Sequence, residues 1–210
     1  QARLVGSEMC IRDSLQRLAD IEIRHRAKQA LRKQMRAVRG ALPESARDAR
    51  SMEIAKRVLA LPELVNADTV LAFASIRNEV RTREIMNAAW VDGKRVALPR
   101  VVGDVLALHI IEADTVMIEG AFSVPEPDAA APQLEPSEVD FALIPALAVD
   151  PRGFRIGYGG GYYDKLLPLL DRACSCAVAY DFQLIPEVPE LPFDVTVDLV
   201  VTDARVIRPA

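Results

Sequence analysis

The sequence predicts an α/β protein with three layers, in which a mostly parallel sheet lies between two layers of helices. Short apolar segments alternate with segments of helical periodicity along the chain, as in βαβ folds. The composition is 50% hydrophobic but only 5% aromatic, a balance typical of a sheet covered on both faces. A length of 210 residues fits one domain, which we assign to residues 15–210.

Helical periodicity and its breakers define four predicted helices. In the first, Leu31 and Met35 repeat at helical spacing, with Lys and Arg on the other faces. Pro43 opens the second at its first turn, where its missing N–H is tolerated. Gly93 ends the third. The predicted ranges are 15–38, 43–61, 83–90 and 163–170.

Apolar runs predict six strands, at 69–74, 96–98, 105–111, 141–149, 174–180 and 197–202. We expect Pro99 to end the second strand. The run 141–149, which Pro145 interrupts, is the best candidate for a buried central strand. Between residues 125 and 136, four prolines predict a loop without regular structure, either a lid or a surface excursion.

The first fourteen residues show no clear helical or strand period. We predict that residues 1–14 are a leader foreign to the fold, either translated vector sequence or a disordered native tail.

Charge and cysteine content exclude several classes of function. The formal charge of −4 disfavours a dedicated nucleic-acid binder, and no apolar run is long enough to cross a membrane. No signal peptide is visible, so we expect a cytoplasmic protein. Three cysteines form no disulfide framework, and two histidines are too few for a zinc site.

Positive charge is concentrated near the start of the chain. Residues 1–40 hold ten Lys or Arg but only four Asp or Glu. This segment either contacts an anionic ligand or presents a solvated helix face, and charge alone does not separate the two.

A glycine-rich loop between Gly153 and Asp164 carries the clearest functional pattern. It follows the predicted central strand, precedes a helix and has four glycines among residues 157–161. Consecutive backbone N–H groups in such a loop form an anion-binding nest. A flexible surface loop is the alternative, but its position at the carboxyl end of a strand and its paired tyrosines favour a ligand site. Asp164 offers a Mg²⁺ ligand beside a phosphate.

This loop resembles the G-x-R-L-G-x-G-x-G-Y-Y-D signature of the 5-formyltetrahydrofolate cyclo-ligase family. Further segments agree in order, from 28–32 through 78–80, 93–94 and 98–99 to 185–186 with the aspartates that follow. The resemblance covers residue 28 to the end, which makes a chance match improbable. It implies a fold of the NagB/RpiA/CoA-transferase group.

The resemblance also implies roles for individual residues. The implied ATP-binding residues are Lys28, Arg32, Arg155, Gly157, Tyr158, Gly159, Gly160, Gly161, Tyr162 and Tyr163. Catalytic roles fall on Glu79, Tyr162 and Tyr163, substrate contacts on Glu79, Phe122 and Tyr162, and Mg²⁺ binding on Asp164 and Asp194.

Some of these residues also have a simpler interpretation. Glu79 taken alone could be a surface carboxylate paired with Arg77 or Arg81. Lys33, Arg36 and Arg39 are interpreted as a solvated basic face. Two positions depart from the family pattern: Tyr158 stands where Arg or Met is frequent, and Phe193 where His or Asn is frequent.

The resemblance implies ATP-dependent cyclisation of 5-formyltetrahydrofolate to 5,10-methenyltetrahydrofolate, through a phosphorylated formyl intermediate. The expected ligands are ATP, Mg²⁺ and the folate, with or without a polyglutamate tail. We expect a monomer or weak homodimer without nucleic-acid or membrane partners. The alternatives are another ATP-dependent ligase or kinase on this scaffold, and a reduced-folate-binding protein without activity.

Overall fold

The computed structural model describes the backbone of residues 2–209 and the side chains of residues 16–121 and 123–209. Its helices are α1 (Ala2–Gly40), α2 (Glu44–Leu59), α3 (Pro62–Val65), α4 (Arg83–Val91) and α5 (Tyr162–Leu166). The four predicted helices are present, and the one-turn α3 was not predicted. Helix α1 begins well before residue 15, so the backbone of residues 2–14 continues it. The side chains of this predicted leader lie outside the described residues, and its foreign origin stays a prediction.

The strands of the described chain are β1 (Thr69–Leu71), β2 (Arg95–Val102), β3 (Val105–Ile111), β4 (Met117–Glu119), β5 (Pro125–Pro127), β6 (Gln133–Leu134), β7 (Phe141–Pro145), β8 (Ala148–Val149), β9 (Arg155–Ile156), β10 (Cys174–Val178), β11 (Leu199–Val201) and β12 (Val206–Ile207). All six predicted strands are present. Those that were missed are only two or three residues long, too short for a periodic signal.

Eight strands form one sheet in the order β12-β11-β10-β7-β1-β2-β3-β6. Strands β11, β10, β7, β1 and β2 are parallel to their neighbours within this central group. Strands β12 and β3 are antiparallel to the strands that they flank, and β6 is antiparallel to β3. The predicted mostly parallel sheet is therefore confirmed.

Successive side chains of the central strands enter two separate cores. Val70 of β1 packs with Ile54 of α2 and Ile85 of α4 on one face of the sheet. Leu71, the next residue, packs on the other face with Leu166 of α5. Because side chains alternate across a strand, helices cover both faces, as the three-layer prediction requires.

The described side chains of helix α1, from residue 16 onward, join neither of these two cores. Its Met35 packs instead against Leu147, Ala148 and Ile156, which follow the carboxyl end of β7. This contact places the basic side chains of α1 beside the glycine-rich loop.

Pro99 does not end β2, contrary to the prediction. The carbonyl of Ala97 accepts a hydrogen bond from the Ala72 N–H, so Ala97 faces β1. Pro99 lies two residues further and faces the same side, where β1 has already ended at Leu71. Its missing N–H therefore interrupts no ladder, and β2 continues alongside β3 to Val102.

The proline-rich segment is also more regular than predicted, because it contains β5 and β6. Strand β5 pairs with β4 alone, and β6 lies at the edge of the large sheet. Edge strands tolerate proline since one side of their backbone needs no partner. The predicted helix 163–170 is shorter: α5 ends at Leu166 and continues as the 3-10 turn Leu167–Leu169, as expected because Pro168 has no N–H to donate to the carbonyl four residues before it.

Candidate active site

A cavity of about 810 Å³ opens beyond the carboxyl ends of the parallel strands. Every predicted site residue whose side chain is described lines this cavity. Phe122 lies outside the described side chains, so its predicted substrate contact stays a prediction. Open α/β sheets bind ligands at this end, which agrees with the placement.

Basic residues of α1 form one wall of the cavity. Lys28 and Arg32 lie one turn apart and face the same way. The Lys28 ammonium forms a buried ion pair with the Asp194 carboxylate. Arg32 donates from Nε to the carbonyl of Gly157 at 2.9 Å, which fastens the glycine loop to α1. Burial and the nearby Arg36 lower the pKa of Arg32.

The glycine loop forms the next wall. At two of its positions, steric constraints require glycine. A Cβ on Gly160 would lie 2.6 Å from Cε2 of Tyr162, so any larger residue would displace that ring. Gly161 precedes α5 with φ +69°, in the left-handed region that favours glycine. The loop sequence therefore follows from its path against the tyrosine and into the helix.

Arg155 and Asp164 lie at the floor of the cavity. The Arg155 guanidinium donates to Asp164 Oδ1 at 2.9 Å and to the Val195 carbonyl at 2.7 Å. Burial lowers the pKa of Arg155, while the charges of Asp164 and Asp194 oppose that shift. Each predicted metal ligand is thus ion-paired, Asp164 with Arg155 and Asp194 with Lys28. Within the described residues, no group of three or more potential metal ligands comes together.

Glu79 is buried, with 6% of its surface exposed, and is not a surface carboxylate. Its Oε2 accepts a hydrogen bond from the Ile76 N–H at 3.0 Å, and it also bonds with the Tyr158 side chain. Burial raises the pKa of Glu79. Arg81 instead pairs with Glu44 and Asp48, so the alternative pairing of Glu79 with Arg81 is wrong.

Tyr158 connects Glu79 to helix α1. Its hydroxyl accepts a hydrogen bond from Arg39, and the Arg36 guanidinium lies 5.1 Å from its ring centroid. Burial and the charge of Glu79 raise the pKa of Tyr158 to about 12. Arg39 is buried at 3% exposure, so its assignment to a solvated face is wrong. The Tyr158 hydroxyl is a buried hydrogen-bond acceptor for Arg39, which the sequence alone did not predict.

The two adjacent tyrosines of α5 have different surroundings. Tyr163 packs partly against the core on its side of the sheet, and burial together with Glu79 raises its pKa. Tyr162 lies at the start of the helix with its ring against Gly160. Both line the cavity.

The remaining wall is apolar and comes from the ends of β1, β2 and β3 with β5. Phe73, Val101 and Leu106 contribute to it, together with Pro125. Glu126 also lines this wall but escaped the sequence analysis, because its proline-rich surroundings were assigned to an irregular loop. Glu126 lies between Pro125 and Pro127, and no hydrophobic periodicity around it indicated that it would be buried.

The chain is similar to known proteins in both sequence and fold. The sequence model of the 5-formyltetrahydrofolate cyclo-ligase family matches residues 24–203. The Escherichia coli (strain K12) 5-formyltetrahydrofolate cyclo-ligase is 30% identical over 179 residues, covering 82% of this chain and 98% of the relative. The mouse (Mus musculus) protein of the same name is 26% identical over 185 residues, covering 82% and 91%. The Aquifex aeolicus 5,10-methenyltetrahydrofolate synthetase structure aligns with a TM-score of 0.78 at 31% identity, covering 86% and 92%.

Proposed function

The chain belongs to the 5-formyltetrahydrofolate cyclo-ligase family, and we propose that it uses ATP to convert 5-formyltetrahydrofolate into 5,10-methenyltetrahydrofolate. One observation carries the proposal: a single cavity joins a cation-lined glycine loop to a buried carboxylate and an apolar wall. The first part suits a triphosphate, and the other two suit a ring system with a reacting nitrogen.

Phosphoryl transfer depends on positioning and on neutralising charge more than on covalent help from the protein. Lys28, Arg32 and Arg155 supply the positive charge in this proposal, and backbone N–H groups of residues 157–161 supply donors. The ion pairs of Lys28 and Arg155 hold both cations in place before any anion arrives.

The proposed reaction has two steps. The formyl oxygen attacks the γ-phosphorus of ATP, and the bond to ADP breaks. N10 then attacks the activated formyl carbon and loses its proton, and phosphate leaves with the former formyl oxygen. Glu79, whose pKa burial raises, is the proposed proton acceptor for N10, with Tyr158 fixing its carboxyl group. Tyr162 and Tyr163 would shield the intermediate from water.

Mg²⁺ is the proposed metal, held by Asp164 and Asp194. Mg²⁺ typically takes one or two carboxylates together with phosphate oxygens and water, so a pair of cavity-lining aspartates fits without a third protein ligand. The charges of both aspartates act on Arg155, which supports the proposal that they lie near one bound cation. When bound, the metal would neutralise charge on the transferring phosphoryl group.

A second groove of about 490 Å³ continues along α1 and is lined by Lys33 and Arg36 as well as Arg32. We propose that it accepts the glutamate tail of the folate, since its charge complements carboxylates. Among the described residues we find no helix long and apolar enough to span a bilayer. A cytoplasmic location, a monomer or weak homodimer, and the lack of nucleic-acid partners stay predictions from the sequence.

The test follows the absorbance of the methenyl product while the purified protein meets 5-formyltetrahydrofolate, ATP and Mg²⁺. We expect a rise that requires all three. If ATP binds but no product forms, another ATP-dependent ligase reaction replaces the proposal. If the folate binds with no ATP bound, the protein is a folate-binding protein without this activity.

A further inference from the structure

Glu126 is a second buried carboxylate in the cavity, and it has fewer hydrogen-bond partners than Glu79. Only 2% of its surface is exposed, and it lies in the apolar wall. Its Oε1 accepts one hydrogen bond, from the Val101 N–H at 3.3 Å. The described residues give it no ion pair. An ionised carboxyl group in such a place loses hydration without full compensation, which is costly unless a ligand supplies the missing donors.

The free side of this carboxylate faces the cavity. Oε2 of Glu126 has no hydrogen-bond partner among the described residues. Every fully buried polar side-chain atom of the described residues does have a partner, so Oε2 is not fully buried. Oε2 must therefore border open space. Glu79 differs, because Ile76 and Tyr158 already donate to its carboxyl group. Glu126 thus retains the greater capacity to accept hydrogen bonds from a ligand.

The surrounding chain is shaped to hold Glu126 in this position. A Cβ on Gly120 would lie 2.1 Å from its Cδ, so only glycine leaves room for the carboxyl group. Arg100 donates from Nη1 to the carbonyl of Pro127 at 2.8 Å and fastens β5 to β2 on the other side. The antiparallel pairing of β4 with β5 completes the support.

We propose that Glu126 binds the amidine edge of the substrate pterin, accepting hydrogen bonds from its 2-amino group and N3–H. This inference rests on the proposed function. Two adjacent N–H donors match a carboxylate, and the apolar wall suits the flat ring. The adenine of ATP matches less well, because its amino group is flanked by acceptor nitrogens. Glu126 is therefore a determinant of folate specificity.

The first test is Glu126→Gln, which keeps the shape but removes the charge and one acceptor. Binding of 5-formyltetrahydrofolate, followed by calorimetry, is expected to weaken roughly 10- to 100-fold. Binding of ATP is expected to change by less than about twofold, the level we set for no effect. Glu119→Gln is the matched control, since Glu119 is an exposed carboxylate on the other strand of the same hairpin.

A ligand lacking the 2-amino group tests the contact itself. The wild-type protein is expected to bind 2-desamino-5-formyltetrahydrofolate about tenfold more weakly than the natural folate. The Glu126→Gln variant is expected to show little difference between the two ligands. Equal discrimination by both proteins would overturn the proposal.

Two further readouts distinguish a failure of this inference from misfolding of a variant and from a failure of the proposed function. Gly120→Ala displaces the carboxyl group without removing its charge, and it is expected to weaken folate binding while ATP binding persists. If Glu126→Gln binds folate normally while the wild type cyclises it, only this inference fails. If Glu126→Gln loses ATP binding instead, Glu126 serves the nucleotide base and the inference fails. If the wild type itself produces no methenyl product, the proposed function fails first.

Discussion

Replacement of Lys28 by methionine tests whether the buried cation of α1 is held by its ion pair. Lys28 and Asp194 have side chains that are only 4% and 7% exposed. The Lys28→Met variant keeps most of the length of the side chain but leaves the Asp194 carboxylate without its cation.

The structure sets the size of the expected effect. Breaking a buried ion pair by removing one partner costs about 3–5 kcal/mol, because the other charge stays buried. Asp194 keeps one charge-assisted hydrogen bond, from the Leu191 N–H at 2.7 Å, so we expect the lower end, about 3 kcal/mol. For a chain of this size that loss lowers Tm by about 6–12 °C.

Urea unfolding with a thermal scan provides the measurement, and two variants provide the comparison. Arg26→Met removes an exposed ion pair with Glu22 on the same helix and is expected to cost less than about 0.5 kcal/mol. The double variant Lys28→Met with Asp194→Leu is expected to recover most of the stability, since no charge stays buried. ATP binding is expected to be lost in both Lys28→Met and the double variant, because Lys28 is a proposed phosphate ligand. A loss below about 1 kcal/mol for Lys28→Met would show that the pair is solvated and would refute the reasoning.

Three further predictions concern the walls of the cavity. Burial raises the pKa of Glu79, so its contribution to stability is present below the ordinary pKa of 4.5 and is lost as pH rises through the raised value. Glu79→Gln is therefore expected to abolish turnover while flattening the fall in unfolding free energy as pH rises above about 4.5; full turnover would contradict the proposed role. Gly160→Ala is expected to lower kcat/KM by displacing the Tyr162 ring, and additive effects with Tyr162→Ala would argue against that cause. Tyr158→Phe removes the hydroxyl partner of buried Arg39 and is expected to cost about 1–3 kcal/mol in urea unfolding, which an unchanged midpoint would contradict.

Much of the fold was predictable from local patterns. Strand β3 was predicted with its observed ends, and α4 ends at Val91 with Gly93 two residues beyond, in the left-handed region. These elements follow from side-chain periodicity and from the backbone freedom of glycine, which act within a few residues. The predictions failed where a neighbour decided the outcome. Pro99 continues β2 only because β1 has already ended beside it.

The candidate site shows the same division. The glycine loop and the paired tyrosines were visible because their spacing is local. The burial of Arg39 was not, because it depends on Tyr158, which is distant in sequence but contacts it in the fold. Glu126 was missed for a similar reason, since Gly120 and Val101 create its place from two other segments.

The sequence by itself determined the α/β class, the order of most elements and the glycine-rich loop that is predicted to bind phosphate, because each depends on residues that are neighbours along the chain. Only the tertiary structure decided which charges are buried and paired. Lys28 meets Asp194 and Arg155 meets Asp164 in one cavity, while Glu126 is left open to it. The physical reason is that desolvation and ion pairing depend on all the chain segments that surround a group, and the fold alone brings those segments together.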